Sequence, residues 1–403
     1  MLSISILVAT IVVAVILLLP RIANATLWRA TTTPLASIIG SGFLILGPIL
    51  SEHYGGYAPL VMAALCLCAY LFGGAIRYNI AAIKAASGED RRPGLEVHLE
   101  TAASWTLSFA YVISVAYYLN LFGEFAVSLT PFDQKFYAEC VTSAVFVVIL
   151  GVGLTKGFKA LERMEQISVG IKLAIIAGLL VGLGVYFYDH VQAGELVHAT
   201  PTVDGWWGAI TLGFGLIVTV QGFETSRYLK EEYDARTRIR SMHLAQWLST
   251  GIYMAYIVFM AYVFEPSEIE MTETAIIDMM AVVAPILPGL LVAAALSAQF
   301  SAAVADTSGS GGLVAELTRN RIKPQPAYAL LCGIGLLLTW TVDLFEIISY
   351  ASRAFAAYYA VQSLIAAATA WHADKRGHKL LAAGFLLLAI LGAVIVIFGR
   401  PVE

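Results

Sequence analysis

Residues 36–50 read Ala36-Ser37-Ile38-Ile39-Gly40-Ser41-Gly42-Phe43-Leu44-Ile45-Leu46-Gly47-Pro48-Ile49-Leu50, an apolar run interrupted by Gly40-Ser41-Gly42. Residues 210–228 repeat the pattern around Gly213, Gly215 and Gly222, the last within Gln221-Gly222-Phe223-Glu224. Hydrocarbon offers freed backbone groups no water, so a broken helix survives at membrane depth only if buried in protein or lining a cavity. Interruptions at matching points of two halves mark the midplane binding site of a transporter. The competing reading is that the small residues merely let helices approach closely.

The whole composition agrees with a membrane setting. Of 403 residues 59% are apolar and 13% charged, and long apolar runs recur to the end. The expected fold class is therefore all-α and polytopic. Runs of roughly 17 to 30 residues exclude the alternating segments of about ten that a membrane β-barrel shows. A net charge of -4 points to no nucleic acid. Cys66, Cys68, Cys140 and Cys332 sit in apolar runs without metal-ligand spacing, and the histidines fall in connections or at span ends. No metal and no organic cofactor is expected; a proton or sodium ion is the expected coupling ion.

Twelve spans are expected, at 2–19, 32–50, 57–83, 101–130, 136–153, 163–188, 206–228, 241–264, 281–316, 325–343, 346–371 and 379–398. In the ninth, Pro285 and Pro288 start the helix proper and leave residues 272–284 as an outer loop or short helix. Of the 24 lysines and arginines, 20 lie in alternate connections, those after the odd-numbered spans, Arg77 and Arg227 among them. The positive-inside rule then puts both termini outside the cytoplasm, in an inner membrane. Ala23-Asn24-Ala25 resembles a signal cleavage site, but no positive charge precedes the first apolar run and Arg21 follows it, so a retained first span is expected.

Residues 30–188 and 206–371 form two sets of five spans, each opening with a broken segment. Five is odd, so the sets are expected to be inverted copies, with an extra helix at 1–29 and another at 379–403. This layout resembles the LeuT-type inverted repeat. Ile39-Gly40-Ser41-Gly42-Phe43 resembles the first core helix of the amino acid-polyamine-organocation superfamily. Gly222-Phe223-Glu224, followed by Leu229-Lys230-Glu231-Glu232 and Arg238-Ile239, resembles its sixth. Lys172 in Gly170-Ile171-Lys172-Leu173 is similar to a lysine of proton-coupled members. The extra first span and Ala294-Ala295-Leu296-Ser297 with Ser301 are more similar to the sodium:solute symporter family.

The resemblance implies a substrate site at Gly40, Ser41, Gly42, Tyr117, Gln221, Gly222 and Phe223, with Tyr118 and Asn120 on the same helix as Tyr117. Unwound amides suit a carboxylate, and freed carbonyls suit an ammonium group or a cation. Glu224 is the expected proton-coupling carboxylate; a structural carboxylate bonded to freed amides is the competing reading. Lys172 is expected to replace a bound sodium ion and pair with Asp306, against simple snorkelling to the surface. Alternatively Asp306-Thr307-Ser308 supplies oxygen ligands to sodium, with Ser301 and Ser297 one and two or more turns away. Arg353 is expected to close an outer gate by pairing with a carboxylate or to attract an anionic substrate, against snorkelling at the outer end.

The expected function is a secondary active transporter, not an enzyme, importing an amino acid or related amine with protons. A sodium-coupled organic-solute symporter and a transport-inactive receptor or scaffold on the same fold are the alternatives. The expected partners are a small-molecule substrate and the lipid bilayer. A channel would carry repeated filter sequences, and an enzyme a convergent catalytic set at one depth; neither is visible.

Overall fold

The computed structural model describes residues 2–40, 42–86, 94–155, 159–230, 232–265, 272–373 and 376–402. Its elements are helices throughout: α1 (Leu2–Leu18), α2 (Pro20–Ala23), α3 (Thr26–Ile38), α4 (Gly42–Tyr54), α5 (Ala58–Ala86), α6 (Gly94–Val127), α7 (Lys135–Thr155) and α8 (Lys159–Ala193) in the first part of the chain. The remainder forms α9 (Gly205–Gly215), α10 (Thr225–Tyr228), α11 (Ala235–Ala261), α12 (Ala275–Val283), α13 (Leu287–Leu317), α14 (Pro324–Thr341), α15 (Leu344–His372) and α16 (Arg376–Phe398). The protein is an all-helical, multi-pass membrane protein.

Among the described residues, seven helical segments are long and apolar enough to cross a bilayer. Others reach less far for identifiable reasons. α3 with α4, and α9 with α10, are each one span cut in two. α15 is long but carries Ser349, Ser352, Gln362 and Ser363, all buried. An interior helix packed by protein on most sides has no need of a lipid-facing composition.

Helix ends follow local chemistry. Asp234 accepts the Thr237 amide at 2.9 Å and starts α11, and Asp343 accepts the Phe345 amide at 3.0 Å and starts α15. Pro288 and Pro324 stand in the first turns of α13 and α14, where a missing N–H is harmless. As expected from its prolines, the ninth span divides into the short α12 and the long α13.

Small residues set how closely the helices approach. Ile6 of α1, fully buried, lies against Gly182 of α8, where an added Cβ would come within 2.9 Å of its Cδ1. A Cβ at Gly309 of α13 would meet Tyr111 of α6 at 3.1 Å. Hydroxyls add cross-links between the same helices: Ser108 to Ser310 at 3.1 Å, and Ser114 to the Asp306 carboxylate. Thus α6, α13 and α15 form a packed scaffold around the broken helices.

Candidate functional site

The two expected breaks are present, and they face one another. The first spans Ile39 and Gly40 between α3 and α4; Ser41 lies outside the described residues. The second runs from Leu216 to Glu224, through a 3-10 turn at Ile217–Val220, before α10 resumes. Its start corrects the sequence reading: α9 continues through Gly213 and Gly215, since a glycine inside a helix costs only about 1 kcal/mol. Gly222 is where glycine is required, with φ at 118°.

Contact between the breaks is backbone on backbone. A Cβ on Gly222 would stand 2.6 Å from the Ile38 nitrogen and from the Ser37 carbonyl carbon. A Cβ on Gly42 would stand 2.7 Å from Thr219 Cα. Tyr253 of α11 joins them, its hydroxyl lying 2.8 Å from the Ile38 carbonyl and 2.7 Å from the Thr219 carbonyl. Sequence reading missed this residue, whose only signal is a phenol in an otherwise apolar stretch.

Other freed carbonyls find protein donors, as burial demands. In an unbroken helix the Ala36 carbonyl would accept from residue 40. Instead it accepts from the Lys172 ammonium at 2.9 Å, and Lys172 is only 2% exposed. The cation also sits at the negative end of the α3 dipole. At the second break, Ser352 of α15 donates to the Gly215 carbonyl at 2.6 Å and accepts the Val218 amide at 3.0 Å.

Side chains of the expected substrate set converge here. Gln221 donates to the Tyr118 hydroxyl at 2.8 Å, Tyr117 packs against Tyr118 at 5.2 Å between ring centroids, and Tyr118 is the ring nearest Gly40. Phe223 stacks on Tyr359 at 5.1 Å. Asn120 does not join them; it turns to α14 and donates to Thr339 at 3.0 Å. All these residues are buried, so the meeting point of the breaks is closed to both faces.

Glu224 is fully buried. One carboxylate oxygen accepts the Gly222 amide at 3.0 Å and the Tyr359 hydroxyl at 2.9 Å. Its other oxygen, and the Gln221 side-chain oxygen, have no hydrogen-bond partner among the described residues. Glu224 makes no ion pair there either. Two buried acceptors thus stand close in sequence without donors among the described residues, an uncommon arrangement in a protein interior.

Of the remaining candidates, Asp306 accepts from Ser114. Ser301 turns back to its own helix, donating to the Ala298 carbonyl at 3.0 Å, while Ser297 pairs with Ser168. Arg353 donates from Nε to the Val396 carbonyl at 2.6 Å, near the end of α16 and away from the breaks. Arg77 and Arg227, counted with the connections in sequence, are buried at 7% exposure each. Arg227 pairs with Glu100 of α6 and donates to Gln362 of α15 at 2.8 Å; Gln362 also accepts from Asn79 of α5 at 2.8 Å. This network ties α10, just past the second break, to α6 and α15, and through Gln362 to α5. Its sequence signal was position, three residues beyond Glu224, which a count of charges by connection conceals.

With broken helices, their contact and a buried carboxylate in place, comparison with known proteins decides the family. A family profile described as APC superfamily transporter matches residues 20–399. The chain belongs to that superfamily. The transporter is also similar to a protein of Aquifex aeolicus (strain VF5) described only as uncharacterized, 39% identical over 397 residues, covering 95% of this chain and 93% of that one. Membership carries with it a small-molecule substrate and a place in a membrane; it names neither the substrate nor the coupling ion.

Proposed function

We propose that the transporter imports an amino acid or a closely related amine, driven by protons, through alternating access. One observation carries the substrate class: the amide-rich start of α4 and two buried acceptor oxygens, on Gln221 and Glu224, lie where the breaks meet. First-turn amides of a helix have no intrahelical acceptor and favour an anion. A zwitterion places its carboxylate on Gly40 and Gly42 and its ammonium toward Gln221, Glu224 and freed carbonyl groups. Phe223, Tyr117 and Tyr118 then bound the side-chain end.

Glu224 supports proton coupling because it is held by neutral donors alone and can gain or lose a proton without breaking an ion pair. Lys172 supports it as well. Its ammonium already occupies a break carbonyl that a sodium ion would otherwise use. We assign Lys172 and Asp306, both buried, to the same coupling step, with Ser301 and Ser297 left to pack α13. The cycle is read in an inner membrane with both termini outside.

Uptake into proteoliposomes tests this directly. Amino acids and amines should exchange in counterflow without sodium, and an inward proton gradient should drive accumulation. Accumulation that needs sodium at fixed pH would replace the coupling reading by the sodium symporter; specific binding with no counterflow would replace transport by a receptor.

A further inference from the structure

The chain leaves α16 at Gly399, and residues 399–402 lie across α9, the half-helix that leads into the second break. Gly208, Thr211 and Gly215 stand at i, i+3 and i+7, on one face of α9, and that face receives Arg400. The Arg400 amide donates to the Thr211 carbonyl at 3.1 Å. A Cβ on Gly215 would fall on the Arg400 carbonyl oxygen, and one on Gly208 would stand 2.9 Å from Arg400 Nη2. Both glycines therefore make room for the crossing segment. Phe398 packs on Trp207 at 5.3 Å between ring centroids, and Val402, 8% exposed, keeps the segment buried past Arg400.

This contact ties together parts that must change their relation if the site is to open on that side. α4 and α9 reach the breaks from the same face. Tyr54, at the end of α4, donates to the Ala209 carbonyl at 2.6 Å, and the Thr202 and Val203 amides donate to the His53 carbonyl at 3.2 Å each. α15 holds the end of α16 in turn, through Arg353 on the Val396 carbonyl at 2.6 Å. The half-helices are thus fastened to a scaffold helix at Gly215, one residue before the break begins at Leu216. The fastening is also separable. α9 runs to Gly215, so helical pairing already supplies the Thr211 carbonyl with the residue-215 amide, and the Arg400 bond can be lost without unwinding α9.

We propose that residues 399–402 are a latch holding α9, and with it α4, in the closed arrangement, so that access from that side requires α9 to part from the end of α16. The latch rests on the alternating-access reading, in which this side faces outward.

Reagent access tests it without any substrate. A cysteine at Leu216, 1% exposed at the head of the second break, reports opening through its rate of modification by a membrane-impermeant maleimide in proteoliposomes, above that of the chain lacking it. Removing residues 399–403 should raise that rate about fivefold, the population shift held back by one ordinary hydrogen bond. Gly215→Ala should raise it in the full chain, because the new methyl and the Arg400 carbonyl cannot coexist, and should add nothing once residues 399–403 are gone. Trp207→His with Phe398→His gives a full-length chain in which zinc should bridge α9 to α16 and slow modification, with a chelator restoring it. That arm decides the matter if the shortened chain does not fold. An unchanged rate without residues 399–403, an equal Gly215→Ala effect in both backgrounds, or a His pair indifferent to zinc overturns the latch. Expected rates in a protein that shows no counterflow would instead remove the transport reading and leave the latch standing.

Discussion

Replacing Gly222 by alanine attacks the contact on which the site depends. The backbone there holds φ at 118°, a region costing a non-glycine residue about 1–3 kcal/mol. The new methyl also has nowhere to go: besides Ser37 Cβ, it meets the Ile38 nitrogen and Ser37 carbonyl carbon at 2.6 Å. Those are backbone atoms at the end of α3, not the movable tip of a side chain, and overpacking of this kind adds about 1–3 kcal/mol. The closed arrangement should therefore lose about 2–6 kcal/mol, enough at its lower bound to slow any step passing through it about 30-fold. Thermal unfolding in detergent and initial counterflow rates in proteoliposomes measure the two consequences. Gly251→Ala on α11 is the control, since a methyl there meets nothing within 4 Å. It should be neutral or more stable by up to about 1 kcal/mol. A Gly222→Ala protein with wild-type stability and wild-type exchange would mean that the breaks do not meet as described.

Tyr253→Phe removes the donor shared by Ile38 and Thr219 and should lower stability by about 1–3 kcal/mol in thermal unfolding, without altering composition at either break. Glu224→Gln keeps an oxygen for Gly222 and Tyr359, so it should fold and exchange at equal pH but lose accumulation driven by a proton gradient. Lys172→Met should show the same split in uptake, and retained gradient-driven accumulation in either variant would remove that residue from coupling. Arg227→Met should destabilise by about 3 kcal/mol, the low end for breaking a buried pair because the Glu100 side chain is 24% exposed. A double-mutant cycle with Glu100→Gln should return a coupling energy above about 1 kcal/mol; additivity would mean the pair contributes nothing specific.

How far the chain could be read without coordinates depended on which property carried each feature. The break was legible at Gly40-Ser41-Gly42 because two glycines and a serine stand together there, whereas the lone Gly47-Pro48 pair in the same run is carried inside α4. Gly213 misled because a glycine signals permission to unwind, not the act; only φ at Gly222 distinguishes them. Pro285 and Pro288 placed the α12 to α13 division because a proline ring acts locally. By contrast, Tyr253, Ser352 and Tyr359 act across the fold, on partners 34 to 215 residues away in sequence. Their rotation about a helix axis decides whether a hydroxyl reaches a break or lipid, and period alone does not give that rotation. Arg77 and Arg227 show the same limit from the other side. Charge bias located them near one membrane face but could not tell a solvated connection from a buried network.

The donors at the breaks also sort by what any opening motion must release. Tyr253 lies between the end of α3 and the 3-10 turn at Ile217–Val220 with one O–H proton shared by two carbonyls, so those two pieces move together or one of them loses its donor. Lys172 anchors α3 to α8, and Ser352 anchors the second break to α15, each through contacts that differ in kind. The Ser352 bonds are neutral and local. The Lys172 bond is charge-assisted, and deprotonating the amine would weaken it while leaving a donor in place. A proton arriving or leaving therefore alters the α3 anchor selectively. The α10 half-helix is held separately, by the Arg227 side chain on Glu100 and Gln362. Opening toward the α10 side thus requires two releases of different chemistry. The proposed coupling step acts on the first, and the proposed substrate site at Gln221 and Glu224, the latter three residues before Arg227, is placed to act on the second.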